Sequence, residues 1–226
     1  QPMHKMVRSP LRAMFSSPQF LFHGGQPGPL DDHALASRLS YFLWKTLPDA
    51  ELVRLANDKK LTQAKVLTGQ VERMLDDPRS NRFINDFLDG WLHLSDIDAT
   101  TPDPTLYPEY DNELRQAMLA ETRLYLRELL AKNLPARNFI KSDFSFVNRR
   151  LARHYGMANI SGEKMRRVAL PPDSVRGGLM TQSSILKITA NGTLTSPVKR
   201  GHWVLASLLG TPPQPPPPVD AIEPDI

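Results

Sequence analysis

The densest grouping of chemically useful side chains lies near the C-terminal end, at Thr193, Thr195, Ser196, Lys199 and Arg200. Ser196 followed by Pro197 reads as a helix cap with proline at the first helical position. A helix start carries unpaired N–H groups and the positive end of the peptide dipole. Hydroxyls before it and two cations in its first turn would suit an anion, because cations there otherwise oppose the dipole. The plainer reading is a Ser-Pro cap with two solvated bases. Both readings stand at this point.

Elsewhere the residues exclude more than they offer. The six histidines, His4, His23, His33, His93, His154 and His202, include no pair at i, i+3 or i, i+4, and no HExxH element occurs. The carboxylate pairs Glu109 with Asp111 and Asp96 with Asp98 sit in polar loops, where solvation is the simpler role. No GxSxG elbow, Walker A loop or GxGxxG turn is present. Asn191-Gly192-Thr193 matches a glycosylation sequon and also a tight-turn signal, and the turn is the simpler explanation. Gly177-Gly178 reads as a turn, and Trp44 and Trp91 as core packing. Cysteine is absent, which excludes disulfides, thiolate metal sites and covalent haem attachment within these residues. The formal charge of +4 comes from interspersed acids and bases, a mixed solvated surface rather than a nucleic-acid face. No apolar run reaches the roughly 20 residues of a membrane span.

The elements that must position these residues are helical. A short apolar helix over 10–22 is broken at Ser17-Pro18, and 24–29 reads as a glycine-proline turn. Leu35, Leu39, Phe42 and Leu43 mark one face of the next helix, and Pro48-Asp49 stops it and opens another over about 51–57. Thr62 is the expected cap of a helix lined by Val66, Leu67, Val71, Met74 and Leu75. Asp77-Pro78 caps another, with Phe83, Ile84, Phe87, Leu88, Trp91 and Leu92 on a wide apolar stripe. A long helix over about 111–131 carries Leu114, Met118, Tyr125 and Leu129 on its apolar face, with Glu121 assigned to its polar positions. Residues 143–147 and Val168–Leu170 read as short extended pieces, with Asn148 capping a helix between them that Gly156 ends. The expected fold is all-α: an irregular multi-helix domain, a short C-terminal helical subdomain and a proline-rich tail. The run from Pro212 to Pro218 suits a stiff spacer, and a polyproline II ligand for an aromatic groove is the alternative.

Several phrases carry a resemblance. They include Ser37-Arg38-Leu39-Ser40-Tyr41-Phe42-Leu43-Trp44, Pro48-Asp49-Ala50-Glu51-Leu52 and Gln70-Val71-Glu72-Arg73-Met74-Leu75. Further on stand Trp91-Leu92-His93-Leu94, Leu151-Ala152-Arg153-His154-Tyr155-Gly156, Arg176-Gly177-Gly178-Leu179 and Thr195-Ser196-Pro197-Val198-Lys199-Arg200-Gly201. Over about residues 9–220 the chain resembles tandem domains of unknown function found in large exported bacterial proteins, best known from planctomycetes, beside c-type cytochrome modules. The resemblance implies four segments: 1–29 as the end of a preceding domain, 30–163 as the main helical domain, 164–211 as a small second domain, and 212–226 as a linker to a haem-c module. It further implies a periplasmic or otherwise extracytoplasmic location. Haem c is expected in an adjoining domain or a partner chain, with none held covalently here and no resident metal.

Three functions follow from it. The first is a helical scaffold for extracytoplasmic electron transfer, partnered by a c-type cytochrome domain or subunit and by a redox protein. The second is part of a haem-linked oxidoreductase acting on a bulky substrate, for which a deep pocket with polar groups near His154 or Arg200 would speak. The third is a cofactor-free binding or assembly module. The resemblance carries no catalytic residue across. The expected haem-proximal residues are His154, Met180 and His202 as axial-ligand candidates, with Lys199 and Arg200 facing a propionate.

Overall fold

A computed structural model describes residues 3–22 and 28–214. Most of the glycine-proline turn, His23, and the proline run from Pro215 onward lie outside the described residues. The chain divides into two compact units, Gln1–Phe83 and Ile84–Ile226.

In the first unit, α1 (Met3–Phe15) and α2 (Pro18–Leu21) are separated where Ser17 caps α2 with Pro18 at its start. The apolar side chains Met14, Phe15, Phe20 and Phe22 remain exposed. The core is built from α3 (Asp32–Trp44), α4 (Ala50–Asn57) and α5 (Ala64–Asp76). Asp31 and Asp49 cap α3 and α4 by accepting from Ala34 N and Leu52 N. Trp44 is fully buried among Leu43, Leu52, Leu55, Leu61 and Met74. Its Nε1 donates to Met74 O at 2.9 Å, and the Arg79 guanidinium lies 3.5 Å over its ring. The expected Thr62 cap is not formed. Gln63 occupies the cap position of α5 without a side-chain bond, and Thr62 turns instead to the Asp32 carboxylate 30 residues earlier, its N–H donating at 3.1 Å.

In the second unit, α6 (Asn81–Trp91, beginning in the first unit) runs into a 3₁₀ turn at Leu94–Asp98. A loop leads to the 20-residue α7 (Asn112–Ala131), capped by Asp111 through Leu114 N at 2.7 Å. Then follow β1 (Phe144–Val147), α8 (Arg149–His154), β2 (Arg166–Ala169), α9 (Ser183–Ile188) and α10 (Pro197–Trp203). The last helix continues into a π-helical turn at Val204–Leu208, and Gly210 follows it at φ +64. Helix α7 is the spine, packing against β1, α8 and α9.

Two points correct the all-α expectation and the polar assignment of Glu121. The two short extended pieces pair as an antiparallel sheet, with Phe144 opposite Ala169 and Val147 opposite Arg166. The pieces read as extended in the sequence, but their pairing is long-range. This pair is held by Phe144 stacking on Tyr125 of α7, centroids 5.0 Å apart. Glu121, in turn, is buried on the same face of α7 as Leu114, Met118 and Tyr125.

Gly177 and Gly178 do more than turn the chain. Gly178 sits at φ +81, and a Cβ there would lie 2.4 Å from Ile140 O. Gly177 approaches Ser142 O as closely. Gly178→Ala is therefore expected to cost about 2–3 kcal/mol, from left-handed strain plus a backbone clash. Urea unfolding followed by near-UV circular dichroism checks this, and a loss under 0.5 kcal/mol would show that the approach is relaxed at no cost.

Candidate functional site

A cavity of about 390 Å³ opens in the second unit, a size suited to a small organic molecule. One wall is the start of α7, which places Leu114 and Met118 one helical turn apart. The facing wall is α9, which presents Ser183, Leu186 and Lys187. The loop before α7 supplies Pro102, Tyr107, Glu109 and Tyr110.

The rim is held by specific bonds. Tyr107 OH donates to Thr193 O at 2.8 Å, and Asp103 N donates to Gly192 O at 3.0 Å. Asn191 Oδ1 accepts from Leu194 N at 2.7 Å and Thr193 N at 3.1 Å, closing a turn bridged at Ala190 and Thr195. The Asn-Gly-Thr sequence is thus a turn whose asparagine side chain is bonded within it. Gly192 stands at φ +95 with its Cα facing Thr101 O, where a Cβ would come within 2.6 Å.

Three cations line the cavity. Arg200 NH2 donates to Thr195 Oγ1 at 2.8 Å, drawing its guanidinium to the rim. Arg176 NH1 donates to Thr181 O at 2.9 Å, and its guanidinium lies 3.6 Å over the Tyr155 ring. Lys187 Nζ donates to the carbonyls of Ile97 and Thr100. Burial lowers its pKa, with Asp98 acting the other way. None of the three forms an ion pair among the described residues, in contrast to Arg54, Arg73 and Arg115.

Behind the α9 wall lies a buried polar chain. Ser183 N donates to Tyr155 OH at 2.8 Å. Tyr155 OH donates to Glu121 Oε2 at 2.5 Å, and Ser145 Oγ donates to Glu121 Oε1 at 2.5 Å. Burial raises the Glu121 carboxyl to about 7, against the hydrogen bonds from Ser145 and Tyr155 and the field of Arg176. Burial, then the neighbouring Glu121, raises Tyr155 well above the usual phenol value. Beside this chain, Thr122 Oγ1 donates to Gln182 Oε1 at 2.6 Å and lies 2.7 Å from Ser184 Oγ.

Two hydroxyls of the cavity are left over. Ser183 is 4% exposed, and its Oγ finds no hydrogen-bond partner; the buried Tyr110 hydroxyl has none either. Both residues line the cavity. Buried polar atoms are almost always paired, so two unspent hydroxyls in one cavity point to something that binds there.

Of the sequence candidates, His154 and Arg200 line this cavity, while Met180, Lys199 and His202 do not. His154 stays exposed, although desolvation of its ring and then Arg176 lower its pKa. Met180 is half-buried in the 3₁₀ turn Leu179–Thr181, and Lys199 and His202 are exposed on α10. Ser196 does cap α10, its Oγ accepting from Lys199 N at 3.3 Å. Of His154, Met180 and His202, only His154 lines the cavity, and the chain lacks cysteine. It therefore cannot attach haem c covalently. Among the described residues there is no His/Cys/Asp/Glu group suited to a metal ion, and no helix long and apolar enough to cross a membrane. Sequence reasoning missed Ser183, Tyr110, Tyr155 and Glu121. Only Glu121 left a signal, its position seven residues after Leu114 and four before Tyr125.

Comparison with known families bears on the same residues. The model described as PSD4, a protein of unknown function (DUF1592), matches residues 30–157. The chain belongs to the PSD4 family. A second model, PSCyt3, also a protein of unknown function (DUF1588), matches residues 176–226. These are the planctomycete cytochrome-c-associated tandem domains that the sequence resembles. No curated protein and no solved structure matches the chain. The cavity draws on both matched segments: Tyr110, Leu114 and His154 come from the PSD4 part, and Arg176, Ser183 and Arg200 from the PSCyt3 part. Neither segment alone completes it.

Proposed function

We propose that the chain is the ligand-binding part of a multidomain c-type cytochrome protein in extracytoplasmic electron transfer. Haem is carried by an adjoining domain or a partner subunit. The observation that carries this reading is the cavity with its two unspent hydroxyls, Ser183 Oγ and Tyr110 OH. A passive scaffold gains nothing from such a site, since unsatisfied buried hydroxyls cost stability. Support for the cytochrome setting comes from the family match alone.

A second reading, a haem-linked oxidoreductase acting on a bulky substrate, is favoured by the buried pair behind the wall. Glu121 changes protonation near neutrality and is joined through Tyr155 to the backbone of Ser183. In both readings a small molecule in the cavity communicates with a haem outside this chain.

The test uses the full-length native protein. A Soret band in the purified preparation is expected, as is a shift in haem reduction potential when the small-molecule fraction of a cell extract is added. An Ala190→Trp variant, which fills the cavity, is expected to abolish the response. Absence of the Soret band, or a response indifferent to Ala190→Trp, would overturn the reading.

A further inference from the structure

The chemistry of the cavity wall narrows the ligand, an inference that rests on the cavity being a binding site. Its polar lining is rich in groups that can donate. Ser183 Oγ and Tyr110 OH each carry an O–H with no partner. Arg176, Lys187 and Arg200 bring three cations with no carboxylate paired to them among the described residues, and Glu109 is the opposing acid in the lining. Arg200 and Arg176 donate to neutral oxygens, those of Thr195 and Thr189, and of Thr181. Guanidinium groups favour carboxylate-like anions, and a hydrogen bond to an ionised acceptor is roughly twice as strong as a neutral one. The remaining lining is apolar, with Leu114, Met118, Leu186 and Leu194 among it.

We propose that the cavity takes a small organic acid in its anionic form, with its apolar body against α7 and its carboxylate among Arg200, Arg176, Ser183 and Tyr110. A neutral sugar would bring no charge to meet the cations. A cationic ligand would face three like charges. The PSD4 and PSCyt3 segments then divide the work: α7 of the first grips the body, and the second supplies Arg176, Ser183 and Arg200.

The probes are 4-phenylbutyrate and its uncharged amide, titrated into the full chain at low salt and followed by the methyl NMR signals of Leu114, Met118 and Leu186. The carboxylate is expected to bind roughly tenfold or more tightly than the amide. Arg200→Met is expected to remove about tenfold from carboxylate affinity and leave the amide unchanged. Ser183→Ala, which deletes only the unspent hydroxyl, weakens the carboxylate more than the amide. The variants' methyl spectra without probe confirm that they fold. Equal binding of acid and amide, or an Arg200→Met effect common to both, would overturn the anion assignment while the cavity stands as a site. If neither probe shifts the methyl signals at millimolar concentration, both the anion assignment and the cavity reading fall.

Discussion

Glu121→Gln is expected to stabilise the second unit relative to the natural chain by an amount that grows with pH. The carboxyl of Glu121 is raised from 4.5 to about 7 because burial disfavours its charged form. In the unfolded chain it ionises near its ordinary value. Stability from the protonated native carboxyl is therefore fully present below pH 4.5 and is lost as pH rises to 7. That difference corresponds to about 3 kcal/mol. Glutamine does not titrate, so the variant escapes this loss while other acids titrate alike in both proteins. Subtracting the two profiles isolates Glu121. Hydrogen exchange of the α7 amides, read between pH 4.5 and 8, gives the profile for this unit. A difference independent of pH would mean that Glu121 is charged in the native state throughout, with the bonds from Ser145 and Tyr155 outweighing its burial.

Trp44→Ala is expected to cost about 4 kcal/mol in the first unit, at the upper end of core truncations. The ring is fully buried, so the change opens a cavity lined by Leu52, Leu61 and Met74. It also strips Met74 O of the indole N–H and leaves the Arg79 guanidinium without the ring beneath it. Trp44→Phe keeps a ring under Arg79 and loses the hydrogen bond, with an expected cost of about 1–2 kcal/mol. Urea unfolding monitored by exchange of the α3 and α5 amides measures both. A loss below 1 kcal/mol for alanine would show that Trp44 is not the centre of this core.

Much of the helical framework was legible because its punctuation is local. Asp49, Asp77 and Ser196 before their helices, Pro78 and Pro197 at first positions, and Gly156 and Gly210 at the ends act within a few residues. The departures are long-range. Thr62 is not the cap because Asp32, thirty residues away, draws both its N–H and its side-chain hydroxyl. The sheet formed because Tyr125 offers Phe144 a stacking partner, which neither strand's sequence reveals.

The site was legible only in outline. His154 and Arg200 stood out by residue type, and both line the cavity. Lys199 and His202 share a helix with Arg200 but lie off the lining, because only Arg200 is turned to Thr195 and Thr189. Ser183 and Tyr110 look like any serine and tyrosine. They stand out only where the folded chain buries their hydroxyls and gives them nothing to bond. Such an absence is a property of the folded whole, so no window of sequence contains it.

The central claim is that the cavity between α7 and α9 is a built binding site shared by the PSD4 and PSCyt3 segments. A crystal structure of the protein purified from its native source tests it most directly. Electron density is expected for a small acidic molecule accepting hydrogen bonds from Ser183 Oγ and Tyr110 OH, with Arg200 within ion-pair distance. A closed cavity, with both hydroxyls bonded to neighbouring protein groups, would contradict it.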